Sequence, residues 1–131
     1  MKAEALIMKG QSSYPAAMEL INDIRTRAQI SRPLAISESQ IDMLDMVLQE
    51  RAKEFVGEGK RWYDLLRIAK RNSYEYKEYL ITEVLQGISG GSAPVIRSIL
   101  LNENAHYLPI HQDEIRYNTL LEQNPYYAPL N

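Results

Sequence analysis

The sequence of 131 residues contains no cysteine. This absence excludes disulfide bonds, thiolate nucleophiles and metal sites built on cysteine ligands. Long apolar runs are missing as well, since no stretch approaches the roughly 18 apolar residues that a membrane-spanning helix needs. Residues 1–15 also lack the continuous apolar core of a signal peptide. The sequence therefore predicts no membrane-inserted segment within these residues.

Positive charge is not in excess either, because 15 Lys and Arg residues face 17 Asp and Glu residues, for a formal net charge of -2. The basic residues are spread along the chain, whereas a nucleic-acid-binding protein concentrates them on one face. Nucleic acid is therefore not expected as a partner. With 45% hydrophobic residues, the sequence is typical of one globular unit over residues 1–131.

Apolar residues recur with the helical period of 3.6 residues along most of the chain. This pattern predicts an all-α fold, with helices over residues 14–29, 37–56, 60–70, 76–87 and 92–100. Ser37 and Gln40 form a candidate capping box at the start of the second helix, and Ser92 is a candidate cap for the last. Residues 87–94, GISGGSAP, are predicted to form a loop.

Both ends of the sequence differ from this regular pattern. The first residues resemble the closing turns of a helix that ends at Gly10, so we expect the chain to be a fragment of a larger protein. Gly10, Tyr14 and Ala17 resemble one tetratricopeptide-type helical hairpin, although no second copy follows about 34 residues later. An ordinary helical hairpin explains the same residues equally well. The irregular carboxy-terminal tail is predicted to contain an extended piece at 107–110 and a helical turn near 112–118.

Residues 50–67, ERAKEFVGEGKRWYDLLR, combine charges, glycines and a tryptophan in a way that an ordinary amphipathic helix does not need. Glu50, Glu54 and Glu58 are spaced four residues apart, so a continuous helix would align their carboxylates on one face. Two glycines interrupt that helix where they destabilise it most. The segment therefore predicts a buried helix corner held by ion pairs.

Specific contacts follow from this interpretation of the corner. Trp62 and Leu65 would fill an apolar pocket, and Gly59 would allow two helices to approach closely. The carboxylates of Glu50 and Glu58 would pair with arginine side chains, for which the candidates are Arg25, Arg61 and Arg67. Loss of one partner of a buried pair costs about 3–5 kcal/mol, so we expect Glu58→Ala to unfold the protein.

Three patterns have a catalytic or ligand-binding interpretation beside a structural one. The glutamates could act as general acid and base or bind a metal ion, although the many neighbouring cations favour structural ion pairs. His106 and His111 are five residues apart across the predicted extended piece, which is a poor spacing for a metal site. The loop at 87–92 lacks the preceding strand and following lysine of a phosphate-binding loop.

Three motifs occur in an order that resembles the carboxy-terminal region of SusD/RagB-type outer-membrane lipoproteins of Bacteroidetes. They are an Asn-x-x-Arg-x-Arg-Ala helix end at 22–28, a Glu-Arg…Glu-Gly-x-Arg-Trp-x-Asp-Leu corner at 50–65, and a Leu-Pro-Ile…Gln-Asn-Pro-x-Tyr tail at 108–127. The resemblance implies a set of structural signature residues in the first two motifs and just after the second. They are Arg25, Glu50, Arg51, Glu58, Gly59, Arg61, Trp62, Asp64 and Arg67.

The resemblance implies a fragment of a larger SusD-like fold, in which residues 1–30 end a helical-repeat scaffold and residues 37–131 form a carboxy-terminal subdomain. It also implies a non-catalytic protein without cofactor or metal, held at the outer-membrane surface by a lipid anchor outside this sequence. Such a protein would bind oligosaccharide or polysaccharide and pass it to a TonB-dependent transporter. The alternative is a helical-repeat module that binds a protein partner without sugar specificity.

Tyrosine is enriched, with nine residues against one phenylalanine. Proteins bind sugars by stacking aromatic rings on the C–H faces of pyranose rings and surrounding the hydroxyls with polar groups. Most of the tyrosines follow the corner, namely Tyr74, Tyr76, Tyr79, Tyr107, Tyr117, Tyr126 and Tyr127. Tyrosines at helical spacing also serve as half-buried packing residues. No motif assigns a ligand contact to any of them, so the sequence leaves the ligand-binding residues unknown.

Overall fold

The structure is a computed structural model that describes residues 1–88 and 90–128. Within these residues the chain forms helices and turns and no β-strand, which confirms the predicted all-α fold. The helices are α1 (Lys2–Lys9), α2 (Tyr14–Arg27), α3 (Gln40–Glu54), α4 (Arg61–Ala69), α5 (Arg71–Tyr74), α6 (Lys77–Leu85), α7 (Ser92–Leu100) and α8 (Gln112–Tyr117). In the part of the chain that is described, none of them is long and apolar enough to cross a bilayer.

The chain divides into two compact units, Met1–Asp64 and Leu65–Asn131. The sequence instead led us to expect a single unit with an internal division between residues 30 and 37. The expectation that residues 1–30 end a helical-repeat scaffold and residues 37–131 form a subdomain concerns the full-length protein, and it stays a prediction. Each unit has buried side chains of its own, so each is described separately below.

The first unit is built on a helical hairpin of α1 and α2, against which α3 packs. Helix α1 ends at Lys9, before Gly10, as the sequence predicted. Ile7, Ala17, Ile21, Met43 and Leu44 are almost completely buried in this unit. Burial of each large apolar side chain contributes about 1.5–3 kcal/mol, so these residues account for much of the unit's stability. The predicted hairpin is therefore present.

The connector between α2 and α3 is fixed to α2 by side-chain hydrogen bonds. The Asn22 amide accepts from the Leu34 backbone N–H at 2.9 Å and donates to the Leu34 carbonyl at 3.2 Å. Arg25 Nη2 donates to the Arg32 carbonyl at 2.8 Å. These bonds satisfy backbone groups that Pro33 prevents from joining a helix. The first motif therefore positions the chain that leads into α3.

The start of α3 corrects the predicted capping box. Ser39 is the N-cap, and its hydroxyl accepts from the Asp42 backbone N–H at 3.3 Å. Ser37 lies two residues earlier and bonds the Asp42 carboxylate at 3.1 Å. Gln40 reaches out of the helix and donates to the Ile7 carbonyl at 3.2 Å. The predicted capping box between Ser37 and Gln40 was therefore wrong, and the N-cap lies two residues later, at Ser39.

The second unit contains α6 and α7, which pack against each other. Ile68, Leu80, Ile81 and Leu100 are buried in this unit. Helices α6 and α7 lie close to the predicted positions, whereas the short α5 was not predicted. Ser92 is the first residue of α7 and provides no side-chain cap. Residue 89 of the predicted loop lies outside the described residues.

The tail contains the predicted helical turn as α8, but residues 107–110 do not form a strand. His111 caps α8, and its Nδ1 accepts from the Asp113 backbone N–H at 3.3 Å. His106 is instead buried, with Nε2 at 2.8 Å from the Leu100 carbonyl. The two histidines therefore have separate structural roles and do not form a metal pair.

Candidate functional site

The corner of the first unit contains a buried ion pair between α2 and α3. Arg25 Nη1 donates to Glu50 Oε1 at 2.5 Å, and Lys53 Nζ donates to the same oxygen at 2.8 Å. Burial alone would raise the pKa of Glu50, but the hydrogen bonds from Lys53 and Arg25 outweigh it and hold this pKa below its usual value. These bonds therefore favour the charged form of the Glu50 carboxylate.

A second ion pair joins α3 to the beginning of α4. Arg51 contacts the buried Asp64 carboxylate through two parallel bonds, from Nε to Oδ2 at 2.9 Å and from Nη2 to Oδ1 at 3.1 Å. The guanidinium of Arg51 also lies 5.0 Å from the centre of the Phe55 ring. A bidentate arginine contact fixes orientation as well as distance. This pair therefore sets the direction in which the chain enters α4.

The remaining signature residues of the corner have different surroundings. Arg61 Nη1 donates to the Leu48 carbonyl at 3.1 Å, which adds a second bond between the start of α4 and α3. Trp62, which we expected to fill an apolar pocket with Leu65, is half-buried. Leu65 is buried. Arg67, which belongs to the second unit, is half-buried.

Glu58 and Gly59 do not have the roles that the sequence predicted. Glu58 is exposed and pairs with Lys60 at 2.7 Å, rather than with Arg25, Arg61 or Arg67. Helix α3 ends at Glu54, so the helical spacing that would align Glu58 with Glu50 is lost. A Cβ added at Gly59 would meet no atom within 4 Å, so this glycine does not serve close helix packing. Its φ of 67° is the feature that favours glycine there.

Each carboxylate of the acidic series has a cationic partner. Glu50 contacts Arg25 and Lys53, Glu54 contacts Arg27, and Glu58 contacts Lys60. Among residues 1–88 and 90–128, no group of three or more His, Cys, Asp or Glu side chains is placed to hold a metal ion. This arrangement favours ion pairs that connect parts of the chain over acid–base chemistry.

Two surface pockets lie beside the corner in the first unit. One has a volume of about 430 Å³, and its walls include Leu20, Ile24, Val47 and Phe55. The other has a volume of about 490 Å³ and lies along the connector, where its walls include Leu34, Met46, Gln49 and Lys53. Glu50 borders both pockets, but its carboxylate is already bound by Arg25 and Lys53.

The tail of the second unit is held by two adjacent side-chain amides. Gln123 Oε1 accepts from the Ile110 backbone N–H at 2.9 Å, and Gln123 Nε2 donates to the Ile110 carbonyl at 2.8 Å. Asn124 Nδ2 donates to the carbonyls of Asn104 at 2.8 Å and Tyr107 at 3.3 Å. We call Gln123 and Asn124 the amide clamp. The third motif therefore joins the two halves of the tail without a strand.

The amide clamp also positions tyrosines. Asn124 Oδ1 accepts from the Tyr126 backbone N–H at 3.1 Å, and the Asn124 carbonyl accepts from the Tyr127 N–H at 2.9 Å. The rings of Tyr126 and Tyr127 lie 4.9 Å apart at 85°, in an edge-to-face arrangement. Tyr107, Tyr126 and Tyr127 are 42%, 37% and 40% exposed, so each has a supported side and a side open to solvent. We call these three residues the tail tyrosines.

Comparison with known protein families matches the model of the SusD family over residues 1–127. The chain belongs to the SusD family. It is also 38% identical over 79 residues to the SusD-like protein P38 of Formosa agariphila. That alignment covers 53% of this chain and 15% of the relative, so the chain spans a small part of the relative's length. No solved structure matches the chain.

The contacts give each of the three motifs of this SusD-family chain a structural role. The first motif fixes the connector, the second forms two ion pairs, and the third clamps the tail. The sequence led us to the charged residues of the corner but not to the roles of Asn22, Gln123 and Asn124. The sequence contained a signal for these roles, namely an Asn or Gln side chain together with a proline-containing segment. A side-chain amide can hydrogen-bond the backbone groups that proline keeps out of regular structure. The family as a whole is one of binding proteins rather than enzymes.

Proposed function

We propose that this chain is part of a non-catalytic, glycan-binding SusD-family protein at the outer-membrane surface. The full-length protein would be held by a lipid anchor and would pass oligosaccharide to a TonB-dependent transporter. Support comes from the family match over residues 1–127, since SusD-family membership points to glycan binding in nutrient uptake. In this proposal the residues of the corner stabilise the fold, and the tail tyrosines contact the ligand.

The observation that carries the ligand surface is the position of the tail tyrosines. A stacking surface for a sugar needs an aromatic ring that is open on one side and does not lose much freedom on binding. The amide clamp satisfies the second requirement, because Asn124 bonds the backbone of Tyr107, Tyr126 and Tyr127. By contrast, Tyr117 is 85% exposed and lies at the end of α8.

The test is a calorimetric titration of the chain with a panel of oligosaccharides, beside analysis of the products. We expect binding to at least one glycan, with no shorter product released. Replacement of Tyr126 and Tyr127 by alanine should weaken binding at least tenfold, since each stacked aromatic ring contributes on the order of 1 kcal/mol or more. Tyr63→Ala is the control, because Tyr63 is exposed but lies in α4. Equal losses in both variants would contradict the assignment of the site to the tail.

A second function has support from one observation. Leu108, Tyr117 and Leu120 are 86%, 85% and 89% exposed, and large exposed apolar side chains are typical of protein-binding surfaces. We propose as the alternative a protein-interaction module without sugar specificity. The test is to measure glycan binding and protein binding by the parent and by the double variant Leu108→Ser and Leu120→Ser. If the chain is a protein-interaction module, the parent binds a protein partner but no glycan, and the double variant no longer binds that partner.

A further inference from the structure

Lys70 and Tyr107 form a pair in the second unit that the family motifs do not include. Lys70 Nζ donates a hydrogen bond to the Tyr107 hydroxyl, and the same nitrogen lies 5.0 Å from the centre of the Tyr107 ring. A nitrogen 5.0 Å above the ring centre would be too far from the phenol oxygen to bond it, so the ammonium lies beside the hydroxyl and not above the ring centre. The solvent-exposed face of Tyr107 is therefore not covered by Lys70.

The charge of Lys70 is not neutralised by a neighbouring acid. Lys70 is exposed, and no carboxylate forms an ion pair with it in the part of the chain that the structure describes. The other lysine of this region differs, because Lys77 pairs with Glu103 at 3.1 Å. An exposed cation with a fixed position and no acidic partner is suited to a negatively charged group on a ligand.

The Tyr107 hydroxyl has two hydrogen-bonding neighbours, Lys70 and Tyr74. Burial and the hydrogen bond with Tyr107 raise the pKa of Tyr74 to about 12, while the hydrogen bond from Lys70 lowers the pKa of Tyr107. The Glu103 carboxylate also contributes to the raised pKa of Tyr74, but it pairs with Lys77 at 3.1 Å and not with Lys70. The N–H groups of Lys70 that do not bond Tyr107 are therefore the donors that a ligand can use.

The backbone beneath the pair is held in an unusual conformation. The short α5 is not a regular α-helix, because Asn72, Ser73 and Tyr74 have φ values of 45°, 59° and 66° and lie in the left-handed region. Such strain persists only where surrounding contacts determine the position of the chain. Tyr74 has such contacts, since its ring lies 5.6 Å from the ring of the buried His106. Tyr107 is held from the other side by Asn124.

We propose that Lys70 and Tyr107 form a subsite for an anionic group of a glycan, either a uronate carboxylate or a sulfate ester. A pyranose ring stacks on an open face of Tyr107, and its charged substituent lies beside the hydroxyl of that ring, where it accepts from Lys70. The proposal rests on the proposed glycan-binding function and specifies the class of glycan.

The test is a set of calorimetric titrations at low ionic strength with three oligosaccharides of equal length. One is a neutral galactan fragment, one is an oligogalacturonate, and one is a sulfated galactan fragment. The parent chain is expected to prefer one or both charged ligands over the neutral one, and added salt is expected to weaken that preference. The two charged ligands separate the carboxylate from the sulfate as the group recognised.

Variants of single lysines make the test specific. Lys70→Met should lower affinity for the charged ligand about tenfold and lower affinity for the neutral ligand much less. Lys70→Arg should retain most of the preference, because it keeps the charge. Lys9→Met is the matched control, since Lys9 is an exposed lysine of the first unit. A thermal unfolding midpoint equal to that of the parent would show that Lys70→Met is folded.

The outcomes separate this inference from the proposed function. Equal binding of neutral and charged ligands that Lys70→Met does not alter would overturn the anionic subsite and leave glycan binding intact. The same holds if Lys9→Met reduces the preference as much as Lys70→Met does. Failure of the parent chain to bind any oligosaccharide of a wider panel would overturn both.

Discussion

A buried carboxylate such as Glu50 is stable only where charged or polar partners replace the water that it loses on folding. In this chain Arg25 and Lys53 supply those partners, and Arg25 also bonds the Arg32 carbonyl. One guanidinium therefore connects α2, α3 and the connector between them. Removal of the carboxylate would leave the guanidinium of Arg25 buried without its counter-charge.

The first prediction concerns this pair. Glu50→Ala should lower the free energy of unfolding by about 3–5 kcal/mol, the usual result of breaking a buried ion pair by removing one partner. Glu58→Ala is the matched control, and it should change the stability by less than about 0.5 kcal/mol because Glu58 is exposed. Urea denaturation of both variants measures the difference. Similar losses in the two variants would show that the pair with Arg25 is not a principal stabilising contact.

The second prediction concerns pH. The pKa of Glu50 in the folded protein lies below its ordinary value of 4.5, so the charged pair stabilises the fold above that value. This stabilisation is lost as the pH falls from about 4.5 through the lower folded pKa. Glu50→Gln cannot titrate, so its unfolding free energy should decrease less than that of the parent between roughly pH 5 and pH 3. Parallel stability curves for both proteins over this range would contradict the assignment.

At the scale of the elements, the turn between α3 and α4 depends on two glycines. Gly57 and Gly59 have φ values of 80° and 67°, and a Cβ at either position would meet no atom within 4 Å. The requirement is therefore for backbone conformation and not for space. The turn brings Asp64 back to Arg51 and carries Glu58 away from the ion pairs.

The third prediction follows from these φ values. Gly59→Ala should destabilise the protein by about 1 kcal/mol, since alanine is strained at positive φ even where no atom is close. Gly87→Ala provides the comparison, because Gly87 also has open space around it but does not have a positive φ. Thermal unfolding of the two variants checks the difference. A loss at Gly87 as large as that at Gly59 would indicate that φ is not the cause.

The fourth prediction concerns the amide clamp. Gln123→Ala should speed hydrogen exchange at the Ile110 backbone N–H, because that group loses the acceptor at 2.9 Å. Gln112→Ala is a suitable control, since Gln112 is an exposed residue of α8. Exchange is followed by nuclear magnetic resonance at neutral pH. An unchanged rate at Ile110 would show that the clamp does not hold the tail in solution.

Helix positions could be predicted from the sequence, because burial on one face repeats every 3.6 residues whatever the partner is. The cap of α3 could not, since the choice between Ser37 and Ser39 depends on where Asn22 and Arg25 hold the connector. Glu58 was misplaced because its predicted alignment assumed a continuous helix. The pairing of Lys70 with Tyr107 joins residues 37 positions apart, and no local pattern indicates such a contact.

In the molecule as a whole, we propose that one unit stabilises the fold and the other contacts the ligand. The first unit, Met1–Asp64, contains the buried ion pairs of Glu50 and Asp64 and supplies stability. The second unit, Leu65–Asn131, contains the tail tyrosines and Lys70 and supplies the proposed ligand surface.

The most direct test of this separation is a calorimetric titration of Glu50→Gln with the glycan that the parent chain binds. The titration is made near neutral pH and below the unfolding midpoint of the variant. Glu50→Gln is expected to be less stable than the parent and to bind the glycan with the same affinity. If the variant is as stable as the parent and no longer binds the glycan, the corner is the ligand site and not a structural element.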